Sequence, residues 1–482
     1  MTEEQVAELG PGLADYLEEY RECFERRPTF GHFETYCRGL LSGEGRKSVE
    51  PMALAAGAGV RAMQVFLTGL RWDEGRMRDL AQRRVAAFTA AAASPVGKPE
   101  PPRRLKPGEV GRVGLIDETG VVKKGEKTPG VQRQWCGSVG KKENCVVTVH
   151  LGLWDEPSGF KAVLDSELFL PEGWSKDRDR CDAAGIPADM THRTKPRIAI
   201  ELVKRALANG VGFDFVTYDE GYGRDPQFLL DLDEMGLVAV GEVPSNFRCL
   251  AALPGGKKRG PKGGPKGGPK GLVGQEVRNV TRWSKAFIYQ GWEKLEVQRE
   301  TVRPQQWEVK AARVHLLRDG EPLDKTFWLL AAWNRDTGEH KYFFSNAPAD
   351  TPLQTLVAVA FKRAHVEHLF RVLKSEVGFG HYEGRSYKGM MRHLTLCQVL
   401  LLFLSLWAAG LRGGKRQREQ ARGQARGQAR EQAREQGRGQ PARDGGATRH
   451  RLQRPVPPLA GAAARAGPPR ADRLRPELPA AA

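Results

Sequence analysis

The chain has 482 residues, of which 40% are hydrophobic and 28% are charged, so it is long enough for several soluble domains with substantial cores. Its formal net charge of +18 is typical of a protein with an anionic polymer as partner, but residues 411–482 alone hold 17 Lys and Arg against 6 Asp and Glu. The body is therefore only mildly basic, and a nucleic-acid role has to rest on particular residues. The seven cysteines are scattered without a CxxC pair, which argues against a disulfide framework or a structural zinc site and favours a reducing cytoplasm.

Residues 1–92 are predicted to be a helical region, because apolar residues recur there at helical spacing. Within it, MALAAGAGVRAMQVFL (52–67) has the pattern of a helix, a turn with glycine and a second helix. As a helix-turn-helix, this segment would present Arg61 and Gln64 to a DNA major groove. Two packed helices without a DNA role fit the same pattern equally well. A proline-rich linker, 93–109, follows.

Beyond the linker, short apolar runs alternate with helical segments, which predicts an α/β fold. We assign 110–243 and 347–410 to the core of this fold, and the tryptophan-rich stretch 244–346 to a β-rich insertion. The insertion contains a GGPK repeat at 254–271, which is predicted to be a mobile basic loop because it cannot bury a core. Most tryptophans of the insertion are expected in its core, although one aromatic ring could stack on an unpaired base.

Two terminal features bear on where the protein acts. The apolar run 394–410 is short for a membrane span and contains polar residues, so we predict a buried core helix and no membrane partner. The repetitive segment 411–482 is predicted to be a disordered basic tail, either passive or holding DNA by its charge. We therefore expect a cytoplasmic protein, associated with the nucleoid when it is bound to DNA.

Three acids stand out by their context. Asp117 follows the strand VGLI and Asp219 follows the strand FVTY, at the strand ends where α/β sheets tend to place their sites. Glu367 lies on a predicted helix, with Arg363 and Lys374 on the same face. Each acid alone is more typical of a helix cap, a solvated turn or a solvated helix face, so the prediction depends on the three converging.

Converging carboxylates would suit metal-dependent cleavage of a phosphodiester. Two Mg2+ ions roughly 3.5–4 Å apart can activate the nucleophile and stabilise the leaving oxygen. Mg2+ prefers oxygen ligands, so carboxylates would serve as ligands where Cys or His would not. Arg363 and Lys374 could then hold DNA phosphates beside the metal ions.

In this order, the blocks around the three acids resemble the DDE transposases of bacterial insertion sequences, of the DDE-superfamily endonuclease type. The resemblance covers roughly residues 20 to 410, without the GGPK loop and the tail. The matching blocks are YCRGLLSGEGRKSVEPMALAAG, IDETGVVKKGEKTPGVQRQWCGSVGKKENCVVTVHLG, VTYDEGYGRDPQFL and RAHVEHLFRVLKSEVGFGHYEGRSYKGMMRHLTL.

The resemblance implies an RNase H-like catalytic core with Asp117, Asp219 and Glu367 as ligands of two Mg2+ or Mn2+ ions. It also implies a β-rich insertion between the second acid and the glutamate, and the interval between those two acids is indeed the longer one. The expected activity is cleavage at transposon ends followed by attack of the 3′-hydroxyl on target DNA. Double-stranded DNA, both terminal repeats and target, would be the partner, and a homodimer would hold two ends.

Related transposases carry a Tyr-Arg-Glu-Lys signature around the third acid. Arg363, Glu367 and Lys374 match its last three positions, whereas Ala360 stands at the tyrosine position, so the resemblance does not define whether a DNA hairpin forms. In the segment after the helix, His381, Tyr382, Arg385, Arg392 and His393 are candidate DNA contacts, and a packed turn is an equally good interpretation. Two other functions remain open: a catalytically silent, domesticated transposase that only binds DNA, and a nuclease that cuts without joining.

Overall fold

The computed structural model describes residues 8–93, 105–252, 275–286, 291–299 and 302–438. The predicted GGPK loop, most of the linker and the tail beyond 438 lie outside the described residues. The chain divides into two compact units, Met1–Arg416 and Gln417–Ala482, and the contacts described below lie within the first.

The N-terminal region consists of helices packed around aromatic side chains. They are α1 (Leu9–Glu18), a 3-10 turn (Arg21–Cys23), α2 (Arg27–Leu41), α3 (Val49–Ala55), α4 (Val60–Thr68) and α5 (Glu74–Ala93). Pro28 lies in the first turn of α2, where its missing N–H costs no hydrogen bond. The ring of Trp72 stacks on Phe24 and on Phe66, with ring centroids 5.5 and 5.4 Å apart. These stacked rings hold the turns of the region together.

The strands of the described ranges form one 12-stranded sheet, with parallel and antiparallel neighbours. They are β1 (Arg112–Val122), β2 (Gln132–Cys136), β3 (Lys141–Asp155), β4 (Phe160–Leu168), β5 (Phe215–Tyr218), β6 (Ala239–Val243), β7 (Arg248–Ala252), β8 (Gln275–Asn279), β9 (Glu293–Arg299), β10 (Val302–Arg318), β11 (Glu321–Trp333) and β12 (His340–Ser345).

The sheet has a mixed half and an antiparallel half. In the mixed half, β1 pairs antiparallel with β3 and parallel with β5, and β5 pairs parallel with β6. β3 also pairs with β2 and β4. The antiparallel half continues from β6 through β12, β11, β10, β7 and β8, with β9 on β10. Mixed α/β architecture is therefore confirmed, and the described strands of 244–346, the stretch assigned to a β-rich insertion, lie in the antiparallel half.

Helices connect and cover these strands. They are α6 (Glu172–Lys176), α7 (Arg178–Ala183), α8 (Lys195–Ala208), α9 (Glu220–Gly223), α10 (Pro226–Glu234), α11 (Val280–Ala286), α12 (Leu353–Lys362), α13 (Ala364–Ser375) and α14 (Tyr387–Arg438). α8 begins where the Thr194 side chain caps the backbone N–H of Arg197, with Pro196 in its first turn. α13 packs across β1, β3 and β4, and this packing positions it over the sheet.

The segment Tyr387–Arg412 of α14 is long and apolar enough to cross a membrane by length and composition. Every residue from 389 to 403 is nevertheless buried inside the protein, including Arg392, His393 and Gln398. The apolar run predicted as a core helix therefore packs as one. α14 ends at Arg438, within the segment predicted as a basic tail.

Arg392 ties α14 to the N-terminal helices. Its side chain is fully buried, and its guanidinium pairs with Glu74 at 3.1 Å and lies over the ring of Trp72. It also donates hydrogen bonds to the backbone carbonyls of Phe66, Leu67, Leu70 and Trp72. The carbonyls at the end of α4 and in the turn after it, which lack partners within the helix, are satisfied in this way.

Two further buried hydrogen bonds join the same elements. The Tyr36 hydroxyl of α2 lies 2.8 Å from His393 Nδ1, and the Tyr16 hydroxyl of α1 donates to the carbonyl of Val399 at 2.8 Å. The sequence interpretation had left Arg392 and His393 as possible DNA contacts. Both are fully buried and act in packing.

Candidate active site

Asp117 and Asp219 are brought together by the pairing of β1 with β5. Leu115 pairs with Thr217 in parallel register, so the same register continued by two residues brings Asp117 level with Asp219. Asp219 directly follows β5, as predicted. Asp117 does not end its strand, because β1 continues to Val122 along β3 after β5 has stopped. The two carboxylates therefore lie side by side where the parallel pairing ends.

Asp219 is held by the short helix that follows it. Its Oδ1 accepts the backbone N–H of Gly221 at 2.9 Å and caps α9. A Cβ at Gly223 would lie 1.9 Å from the carbonyl oxygen of Glu242, so α9 can lie against β6 only because glycine stands there. The sequence DEGYG after β5 is therefore explained by local structure, because Asp219 caps α9 and Gly223 lets this helix lie against β6.

Asp117 is a buried acid in contact with a cation. Its side chain is 11% exposed, and Arg363 Nη1 lies 2.8 Å from its Oδ2. Burial raises the pKa of Asp117 to about 7, with the nearby Asp219 adding to the increase and the Arg363 guanidinium opposing it. Burial and the nearby Asp219 therefore disfavour the ionised form of Asp117, and a nearby cation favours it.

The backbone of α13 carries Glu367 in its first turn, about one turn after Arg363. The side chain of Glu367 lies outside the described residues. Further along the helix, burial lowers the pKa of Lys374, while the attraction of Asp117 opposes that shift. Arg363 and Lys374 thus both act electrostatically on Asp117. Among the side chains that the structure describes, no three His, Cys, Asp or Glu side chains meet in a metal-binding arrangement.

His150 is a neighbour of the site that the sequence did not reveal. It pairs with Asp117 across β1 and β3, and its ring packs 4.7 Å from that of Phe370 on α13. Both ring nitrogens are hydrogen-bonded, one to Thr148 at 2.8 Å and one to Ser166 at 2.5 Å. Burial lowers the pKa of His150 to about 3, so the ring is neutral and supports α13. A histidine in an apolar strand gives no sequence signal for this role.

Tyr222 of α9 and Glu118 of β1 complete the surroundings. The Tyr222 phenol is buried, and burial together with Glu118, Asp117 and Asp219 holds its pKa well above the ordinary value. Glu118 pairs with Lys195 at the start of α8. The available sequence signal for Tyr222 was its position three residues after Asp219, which places the two residues about one helical turn apart.

The other predicted DNA contacts lie elsewhere. Arg61, Gln64 and Arg385 are exposed and line one cavity between α4 and the segment after α13. In the insertion, Trp283 and Trp307 are buried, as expected of core residues.

A family model described as DDE superfamily endonuclease matches residues 19–313, which is more than half of the chain. The chain therefore belongs to the DDE superfamily endonucleases, and the resemblance inferred from its sequence blocks is confirmed. The matched residues include Asp117 and Asp219 and end before Glu367.

A similar protein from Microchaete diplosiphon is described as a probable transposase for insertion sequence element IS701. It is 29% identical over 235 residues, which cover 48% of this chain and 53% of that protein. The chain thus matches about half the length of this relative.

Proposed function

We propose that the chain is the transposase of an insertion sequence, which cuts DNA at the transposon ends and joins the 3′-hydroxyls to target DNA. The observation that carries the proposal is the register that sets Asp117 beside Asp219 under the helix bearing Glu367. Membership of the DDE superfamily endonucleases supports nuclease activity. The description of the relative as a probable transposase supports transposition as the process that uses this activity.

An RNase H-like core fits the strand order of the mixed half. Its strands follow the order β4, β3, β1, β5, β6, with β3 antiparallel to its neighbours and β1, β5 and β6 parallel. We assign residues 110–243 and 347–410 to this core, 244–346 to an insertion and 1–92 to DNA-end binding. We further propose that the enzyme works in the cytoplasm on double-stranded DNA, as a homodimer that holds two ends.

The donor set suits Mg2+ or Mn2+, and DDE endonucleases generally use divalent metal ions. We propose that Asp117, Asp219 and Glu367 hold two ions, which when bound would supply charge neutralisation and a polarised oxygen nucleophile. Two observations support this fit. The raised pKa of Asp117 indicates carboxylates crowded in a buried place, and all the groups proposed as ligands are hard oxygen donors.

The protein's own cations would position the DNA. Arg363 contacts Asp117 from the start of α13, and Lys374 lies about three turns further along the same helix. Both would face a phosphate lying across the acids, where Arg can form two parallel hydrogen bonds. We assign Arg61, Gln64 and Arg385 to a second group of DNA contacts away from the acids.

The test is cleavage of DNA carrying the gene's own flanking ends, with Mg2+, with Mn2+ and with EDTA. Asp219→Asn should lower cleavage by more than about 100-fold, because changes around a metal ligand already cost about 10–100-fold. Asp225→Asn is the matched control, since Asp225 caps the neighbouring α10 in the same way, through Gln227 N at 3.0 Å. Asn preserves capping at both positions.

Cutting that is unchanged by Asp219→Asn, or that proceeds in EDTA, would contradict the proposal. A well-folded wild-type protein that binds the ends but never cuts them would instead be a catalytically silent DNA-binding protein. Cutting without joining of pre-cut ends would define a nuclease.

A further inference from the structure

A cavity of about 350 Å3 lies between the N-terminal helices and the segment that follows α13. Arg61 and Gln64 of α4 line one side of it, and Arg385 lines the other. Glu50 and Glu383 also face the cavity. Residues distant in the chain therefore meet in one concave site that is separate from the acids of the active site.

The cations of the cavity are available for a ligand. Among the described residues, the side chains of Arg61, Gln64 and Arg385 form no ion pair or hydrogen bond with each other or with the rest. The carboxylate of Glu383 is already paired with Arg46. Two unpaired guanidinium groups facing one cavity attract an anion with several oxygens, and a phosphate is the type that Arg binds best.

The remaining polar groups suit a nucleobase edge. The amide of Gln64 can pair with the donor and acceptor of an adenine edge, and the carboxylate of Glu50 can accept a hydrogen bond from an exocyclic amino group. The cavity is at the small end of ligand sites and much too small for a duplex. It therefore has the size and chemistry of one nucleotide: a phosphate next to a base.

The wall formed by the segment after α13 is held in place before any ligand binds. His381 Nδ1 accepts the backbone N–H of Lys47 at 3.0 Å, and Lys123 donates to the carbonyl of Tyr382 at 2.6 Å. The Tyr382 hydroxyl in turn donates to the carbonyl of Ser386 at 2.9 Å. A preformed wall reduces the ordering cost of binding.

We propose that this cavity binds a single nucleotide of the transposon-end DNA, with its phosphate on Arg61 and Arg385 and its base edge toward Gln64 and Glu50. This inference rests on the proposed function, because it takes the DNA end as the ligand. In this proposal, a single nucleotide contacts both α4, which is predicted as a recognition helix, and the segment that follows α13.

The experiment measures binding of the full-length protein to an end duplex in EDTA, so that cleavage does not enter the result. A scan replaces each phosphate of the duplex in turn with an uncharged methylphosphonate, and a second scan removes each base. Arg61→Ala and Arg385→Ala are compared with Arg71→Ala, an exposed arginine outside the cavity. Alanine at position 61 favours the helix, so loss of α4 is not expected.

Wild type should lose about tenfold in affinity at one phosphate and at the base of the same nucleotide. Arg61→Ala and Arg385→Ala should each bind the unmodified duplex about tenfold more weakly, lower the salt slope by up to about 1, and lose less affinity than wild type at that one methylphosphonate. Gln64→Ala should be insensitive to loss of that one base, and Arg71→Ala should behave as wild type.

If wild type binds the ends while both cavity variants bind as tightly as Arg71→Ala, the cavity inference is wrong and the proposed function stands. Sensitive phosphates and bases on different nucleotides would also overturn it. If wild type itself shows no preference for the end duplex over unrelated DNA, it is the proposed function that fails.

Discussion

Replacing Arg392 with methionine should destabilise the protein more than any change of a surface charge. Arg392 is fully buried, and it is the shared donor for four backbone carbonyls and for Glu74. Removing one partner of a buried charged network costs about 3–5 kcal/mol, because the remaining groups stay buried without partners. Glu74 keeps 26% of its side chain exposed and can regain water, so the lower end of this range applies. We expect the free energy of unfolding to fall by about 3 kcal/mol.

Urea unfolding followed by tryptophan fluorescence measures this loss, since Trp72 lies directly under the Arg392 guanidinium. The urea midpoint should fall by that loss divided by the m value, which increases with the surface exposed on unfolding. The matched control is Arg76→Met, which removes an exposed ion pair with Glu22 whose two side chains are each 49% exposed. Such pairs contribute about 0–1 kcal/mol. Equal midpoints for Arg392→Met and Arg76→Met would refute the reasoning.

Three other changes have definite expected outcomes. Thr217→Val should raise the melting temperature by an amount equivalent to about 1 kcal/mol, because the buried Thr217 hydroxyl has no hydrogen-bond partner among the described residues. Thr355→Val should lower the melting temperature, because it loses the hydrogen bond from Gly108 N at 3.0 Å. The opposite order of melting temperatures would contradict this reasoning. Burial lowers the pKa of His393 to about 4, so the unfolded chain takes up the proton first and stability is lost as the pH falls below about 6.5. Between pH 7 and pH 5 this loss is about 2 kcal/mol, and urea titrations of His393→Gln should show a pH dependence smaller by that amount; an unchanged dependence would exclude His393 as its source. Glu367→Gln should abolish metal-dependent end cleavage while leaving end binding in EDTA within about twofold, and retained cleavage would remove Glu367 from the proposed site.

The sequence predicted those features of the candidate site that depend only on residues close together in the chain. The apolar runs before Asp117 and Asp219 predicted two strands, because a buried strand needs a continuous apolar segment. The length of β1 could not be predicted in the same way. Its second half, ETGVV, is a strand because β3 continues to pair with it, and that partner is distant in the sequence. The parallel register of the two acids likewise arises only in the assembled sheet.

Contacts between distant residues explain most of what the sequence did not indicate. Arg363 was expected to hold DNA, and the structure brings it onto Asp117 because α13 crosses β1. His150 became part of the surroundings of the site through cross-strand pairing. Arg392 and His393 follow α13 in sequence, as a DNA contact could, but both are buried by the N-terminal helices. A local pattern contains no information about such partners.

The bonds from Tyr16, Tyr36 and the α4 carbonyls to α14 have an evolutionary consequence. A recognition module on a flexible tether can be exchanged between genes by recombination, since few contacts cross its boundary. Here the N-terminal helices and α14 share one buried core, so such an exchange would disrupt that core and leave Arg392 without its hydrogen-bond acceptors. Under the proposed function, descendants of this protein should therefore acquire new DNA-end specificity through successive substitutions at exposed positions such as Arg61 and Gln64, while the helices that carry those positions are inherited together with the core.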